Sequence, residues 1–189
     1  MKHPKAQGFT FVEFMITVGV AGIMAAVALP SYKTFVLNNR LSTQKNEFVL
    51  AMAYARSEAM KRGVRVSVCG RSTDTACVTN AVWDNGWLVF VDNNLPTGTV
   101  NGTDQVLQIR SPLRDAASPQ NGNTLRAGGT LPGVALPSVT FQSNGFTSVG
   151  SNGSFVFSDS RGPSASLRVC VSLMGLVSTP KSSADQCLL

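Results

Sequence analysis

The sequence predicts an α+β protein in which a long N-terminal α-helix, membrane-spanning in its first half, packs on an antiparallel β-sheet head. Three observations predict it. A run of twenty-one residues, Phe9 to Leu29, is apolar apart from Glu13 and a few small polar side chains. Helical spacing of apolar residues continues from Pro30 to Arg62. Beyond Gly63, short β-prone segments alternate with Gly, Asn, Ser and Pro.

The apolar run comes first. At ~1.5 Å rise per residue, Phe9–Leu29 reaches about 31 Å as a helix, the thickness of a bilayer core. Residues 1–8, MKHPKAQG, are short, polar and basic. Lys2 and Lys5 hold that end in the cytoplasm by the positive-inside rule, so the rest of the chain is expected on the far side of the membrane. An ordinary secretory signal has a shorter apolar stretch, no carboxylate and a small-residue cleavage site. Glu13 would cost about 2.5–3.5 kcal/mol at a bilayer centre, so it needs a partner. Cutting the chain between Gly8 and Phe9 would create one, the new α-amine of Phe9 on a neighbouring helix. The plainer alternative is a signal anchor with a stray glutamate.

The helix is expected to continue to Arg62. Tyr32, Phe35, Val36, Leu41, Phe48, Met52, Ala55 and Ala59 make an apolar stripe, and Lys33, Arg40, Lys45, Glu47, Arg56 and Lys61 the other face. Gly63 supplies the stop, and Lys61 and Arg62 suit the negative end of the helix dipole. The organisation expected is therefore 1–8 basic leader, 9–30 membrane-spanning half of the helix, 31–62 amphipathic half, and 63–189 β head.

In the head, the expected strands are Arg65–Val68, Trp87–Val91, Val106–Ile109, Val139–Gln142, Ser154–Phe157 and Leu167–Leu173. Asp92-Asn93-Asn94, Asn101-Gly102, Asn144-Gly145 and Asn152-Gly153 read as turns, and Arg114–Pro132 as a long surface loop. Trp83 and Trp87, either side of Gly86, are expected to anchor the core.

Charge and cysteine usage narrow the function classes. The net charge of +6 is concentrated between Ser31 and Arg71, where eight basic residues face Glu47 and Glu58; from Ser72 onward six basic residues meet seven acidic ones. No broad basic face for nucleic acid follows. Cys69, Cys77, Cys170 and Cys187 form an even set without metal spacing, which reads as two disulfides in an oxidising compartment. The other reading is four reduced core cysteines. Three pairings are open, and the nearest, Cys69–Cys77 with Cys170–Cys187, is preferred. The sole histidine, His3, lies in the leader, so the remainder has no imidazole for a triad or a metal site. The acids are scattered, Asp92-Asn93-Asn94 lacks an EF-hand frame and reads as a solvated turn, and no phosphate-cradling loop is present. No enzyme, cofactor or metal is expected.

The N-terminus, G-F-T-F-V-E after a basic leader, resembles the class III signal of type IV pilins and type II secretion pseudopilins. Phe11 and Phe14 stand where Leu is usual. The resemblance implies cleavage between Gly8 and Phe9 by a prepilin peptidase, N-methylation of Phe9, and docking of subunits through Glu13. It also implies that the helix can loosen between Gly22 and Pro30 in a fibre. VSVCG, GWLVFVD, TFQSNG and LRVCVSLMGLV resemble the heads of the GspH/FimT/FimU branch. That branch implies a minor pilin of the priming or tip complex, with a type II secretion pseudopilin H and a DNA-uptake pilin as alternatives. DNA-binding members carry Gly-Arg-x-Arg near the C-terminus, where this chain has Gly175-Leu176-Val177-Ser178, and Lys181 is its sole basic residue after Arg168. Nucleic acid is therefore not the expected partner. The residues Arg56, Lys61, Arg62 and Arg65 read as a solvated face or a contact with neighbouring subunits. The partners implied are other pilins or pseudopilins through the N-terminal helix, the prepilin peptidase and the inner membrane. The location implied is the inner membrane, single-pass with the head periplasmic, and then a fibre.

Overall fold

The computed structural model describes residues 8–113, 124–129, 136–148, 153–180 and 187. Residues 1–7 of the expected leader, Asn152 of the Asn152-Gly153 turn, most of the Arg114–Pro132 loop and the tail bearing Lys181 and Asp185 lie outside them.

Helix α1 runs from Phe11 to Arg62, 52 residues, with Pro30 inside it. It ends as its sequence suggests. Gly63 takes φ +69°, a left-handed conformation that costs a glycine nothing, and its N–H bonds the Ala59 carbonyl at 3.0 Å. Two compact units divide the chain, Met1–Asn39 and Arg40–Leu189.

In the first unit the helix carries its apolar residues on the outside, from Phe11 at 75% to Leu29 at 62% exposure. Tyr32 and Phe35, read as the start of a buried stripe, are also exposed. Apolar spacing says which side of a helix is greasy; it does not say what covers it.

In the second unit the buried helical residues are Leu41, Gln44, Phe48, Ala51, Met52, Ala55, Glu58 and Ala59. Ala51, Ala55 and Ala59 recur every fourth residue, so small side chains let the helix lie close to the head. Phe48 fills the centre. Its ring meets Trp83, Trp87, Phe155 and Phe157, with centroids at 5.9, 5.2, 4.7 and 5.6 Å. Burying such a side chain stabilises the fold by roughly 2–3 kcal/mol.

The head has two antiparallel sheets. In the first, β1 (Val66–Thr73), β2 (Ala76–Cys77), β3 (Trp87–Val91) and β4 (Gln105–Ile109) follow the order β2-β1-β3-β4. With β5 (Thr124–Gly129) assigned to the other sheet, β6 (Ser138–Phe141) pairs with β1 here. Strand β1 is the hub: Val66 sits between Val91 and Phe141, and Cys69 between Leu88 and Ser138. The second sheet has the order β5-β7-β8-β9, with β7 at Gly153–Ser158, β8 at Leu167–Val171 and β9 at Val177–Ser178.

Strand β3 is buried from end to end. Trp87 and Val89 join the main core with Phe48, whereas Leu88 and Phe90 form a small cluster with Cys69. Its unbroken apolar run, WLVFV, is the sequence sign of a strand covered on both sides.

Several expectations need correction. Residues 124–129, inside the supposed Arg114–Pro132 loop, form strand β5. Ala127, Gly128 and Gly129 have poor strand propensity, and the strand exists because its backbone pairs with β7, Arg126 opposite Val156, and because Trp83 N–H bonds the Leu125 carbonyl at 3.0 Å. The strand expected at Leu167–Leu173, β8, stops at Val171 because residues 172–176 turn back into β9. Asp92 is not solvated. It is 1% exposed, and its Oδ2 accepts from Ser67 Oγ at 2.5 Å and from Gly98 N–H at 2.7 Å. Ser67 also lies 2.6 Å from Thr140 Oγ1, so one carboxylate ties β1, β6 and the 92–98 loop together.

Candidate functional site

The N-terminal junction is built from a short stretch of chain. Gly8, Phe9 and Thr10 precede the helix, so the peptide joining Gly8 to Phe9 lies outside helical geometry. Thr10 is the N-cap. Its Oγ1 accepts the Glu13 N–H at 3.3 Å, and its carbonyl accepts the Phe14 N–H at 3.2 Å. Thr-x-x-Glu ahead of an apolar run is a capping-box signature, and it could have been read from the sequence alone. Glu13 therefore occupies the first turn, where the positive end of the helix dipole favours a carboxylate.

Gly22 and Pro30 both lie within α1. Pro30 has no N–H, and the Thr34 hydroxyl donates to its carbonyl at 3.2 Å. Among the described residues one helix, α1, is long and apolar enough by length and composition to cross a membrane.

The cysteines pair Cys69 with Cys77 and Cys170 with Cys187, eight and seventeen residues apart. Loop closure of this size is worth roughly 2.5–3 kcal/mol per bond. Cys69 joins the small cluster with Leu88 and Phe90, and Cys77 packs against it. The second bond fastens position 187 to β8.

Three arginines and a lysine, Arg56, Arg62, Arg65 and Lys61, are expected from the sequence as a solvated face or a contact with neighbouring subunits. Two of them are structural. Arg56 donates from Nε to the Gly145 carbonyl and from Nη2 to the Met174 carbonyl, both at 3.1 Å. Arg65 donates to the Asp92 and Asn93 carbonyls at 3.2 and 3.4 Å. Arg62 pairs with the buried Glu58 at 2.5 Å, and Lys61 stands 79% exposed at 3.9 Å from the same carboxylate. No sequence signal marks a loop carbonyl as the target of an arginine.

The core tryptophans stand where their sequence placed them, Trp83 fully buried and bonded from Nε1 to the Leu136 carbonyl at 3.1 Å. A groove of about 570 Å³ runs past Leu50, Tyr54, Trp87 and Leu107, with the Glu47–Arg110 ion pair among its walls. Among the described residues no three His, Cys, Asp or Glu side chains converge as metal ligands. Among the described residues of the head, the Asp159 carboxyl has a displaced ionisation. Burial pushes the Asp159 carboxyl up, but hydrogen bonds from the Arg161 side chain and backbone, with its charge, outweigh that and hold it below the ordinary value.

Comparison with known proteins places this arrangement. Residues 44–175 match the family model described as type II transport protein GspH, and residues 3–29 match the prokaryotic N-terminal methylation motif. A fimbrial protein, EcpC, of Eikenella corrodens is 42% identical over 122 residues, covering 59% of this chain and 78% of that protein. The type IV major pilin protein PilE of Neisseria gonorrhoeae is 28% identical over 107 residues, covering 55% and 62%. A crystal structure of the type IV minor pilin FimU of Pseudomonas aeruginosa superposes with a TM-score of 0.58 at 19% identity, over 81% of this chain and 98% of that one, a likeness of fold. These matches are to structural subunits. The exposed apolar helix, the capped glutamate and the two-sheet head are those of a pilin-like chain, and the protein belongs to the GspH family.

Proposed function

We propose that this protein is a minor type IV pilin, a non-catalytic fibre subunit that works in the priming or tip complex that starts assembly. In this reading a prepilin peptidase cuts after Gly8 and the new Phe9 amine is methylated. The helix spans the inner membrane once, with its N-terminus cytoplasmic and its head periplasmic. Glu13 then docks on the Phe9 amine of a neighbour as subunits leave the membrane. Gly22 and Pro30 mark the stretch that loosens in the fibre. The observation that carries the proposal is Glu13 in the first turn of an apolar helix that leads, without a break, into a GspH-type head.

A second reading is a subunit of a type II secretion pseudopilus. The description of the matched family model favours it, and the physics of the helix is the same in both. Binding of DNA is less well supported. Arg56 and Arg65 are spent on carbonyls of their own head, and phosphate contacts dominate nucleic-acid affinity.

A pilus count by electron microscopy, on cells lacking the gene and on complemented cells, separates the first two. Loss of pili restored by complementation supports the minor pilin. Normal pili with failed protein secretion shifts the assignment to the pseudopilus.

A further inference from the structure

Strand β4 ends the first sheet and, among the described residues, has a partner on one side only, β3. Open strand edges are usually guarded by charge or proline. Gln105, Val106, Leu107, Gln108 and Ile109 supply neither. The groove of about 570 Å³ lies between this edge and α1. Ala51 and Trp87 are buried in it, and Leu107 is half-buried against the main core. Leu50 and Tyr54 of the helix stand 67% and 38% exposed above them.

The chain has two tryptophans, both buried, and they differ in one respect. Trp83 donates from Nε1 to the Leu136 carbonyl, whereas Trp87 Nε1 has no acceptor among the described residues. Arg110, in the same groove, spends Nη2 on Glu47 and leaves its Nε buried without an acceptor. Buried N–H groups in folded proteins are nearly always bonded, so two without acceptors in one groove point to a ligand that brings them.

Charge and shape together select that ligand. Glu47 already neutralises Arg110, so an anion would meet the carboxylate along with the guanidinium and gain little. A neutral carbonyl suits both donors. Backbone carbonyls come with N–H groups in the pattern that an open strand edge pairs. A strand added to β4 would also carry alternate side chains beneath α1, toward Leu50 and Tyr54.

We propose that this groove binds an extended polypeptide segment as an added strand on β4. Its backbone carbonyls accept from Trp87 Nε1 and Arg110 Nε, and its apolar side chains pack among Leu50, Tyr54 and Leu107. Recognition is through backbone, so the occupant is an unfolded or extended segment of another protein and not a folded head. The site is independent of the fibre role.

The test follows the two indole N–H signals by NMR in the full chain, in detergent, with Trp83 as internal control. The probe is the peptide acetyl-Thr-Leu-Thr-Val-Thr-amide. It should move the Trp87 proton downfield, leave that of Trp83 in place, and slow hydrogen exchange at the amides of β4. The same peptide N-methylated at every peptide bond keeps the side chains but cannot pair, and should move neither signal. Leu50→Glu, a change at an exposed helical position, should weaken binding about tenfold while both disulfides stay closed. A Trp87 N–H that already shows the small temperature coefficient of a bonded proton before the peptide is added overturns the proposal. So does a Trp87 signal that the peptide leaves unmoved, an equal shift from the N-methylated peptide, or undiminished binding by Leu50→Glu. An equal shift from phenylacetate would make the groove a site for apolar acids and overturns it as well.

Discussion

The ring of Phe48 on α1 lies 4.7 Å, centroid to centroid, from the ring of Phe155 on β7. One helical side chain thus touches the second sheet while also packing on Trp83 and Trp87. Phe48→Ala should lower stability by about 3–5 kcal/mol, since a cavity would open at a site with four aromatic walls. Urea unfolding of the full chain in detergent, followed by tryptophan fluorescence, checks it. A loss under about 1 kcal/mol would mean that the site collapses freely.

Arg56→Ala should leave the Gly145 and Met174 carbonyls without their donor and cost about 1–3 kcal/mol. The effect should be local first. Amides between 142 and 147 and between 172 and 176 should exchange faster, with those of β1 and β3 protected as before. Arg56→Lys should rescue little, because an ammonium lacks the planar fork that reaches two carbonyls at once.

Asp159 sets an acid limit on the fold. Its folded pKa is lowered, so its contribution is complete above the unfolded value of about 4 and is lost as pH falls through the folded one. Asp159→Asn should lower stability at neutral pH and flatten its decline below about pH 4. Thermal unfolding of both proteins between pH 2.5 and 7 reads the difference directly; parallel curves would remove Asp159 from the account.

Cys170→Ser with Cys187→Ser should cost roughly 3 kcal/mol by loop closure and lower the melting temperature, whereas the Cys69–Cys77 bond should survive. Peptide mapping without reductant shows which bond remains. A Cys69–Cys170 or Cys77–Cys170 link in the unaltered protein would contradict the pairing.

At the N-terminus, Gly8→Ala should impair processing and raise the mass of the recovered chain. Glu13→Ala should leave the cut intact and reduce recovery in sheared fibres. Normal recovery of the Glu13 variant would take the docking role from that carboxylate.

Much of the fold was legible because its signals are local. Phe9–Leu29 announces an apolar helix by length, Gly63 announces its end, and WLVFV announces a doubly covered strand. Even-numbered cysteines announced an oxidised head, and the nearest pairing is the one present. What was missed depends on distant partners. Residues 124–129 are a strand through the backbone of β7, not through their own side chains. Asp92 looks like a turn residue until Ser67 and Gly98 are brought to it. Arg56 looks like surface charge until two loops arrive beneath its guanidinium. The Thr10 cap was local and was overlooked.

The central place of β1 has a consequence for how the head forms. Its first edge is closed by β3, soon after it in the chain, but its second waits for β6, far downstream. At synthesis rates of roughly 5–20 residues per second, β6 arrives several seconds later. Through that interval a bare, apolar strand edge is open to any neighbouring chain in the same condition. Half-made copies can pair through that edge, so slowing production of this protein should raise the share of chains whose head is folded with both disulfides closed.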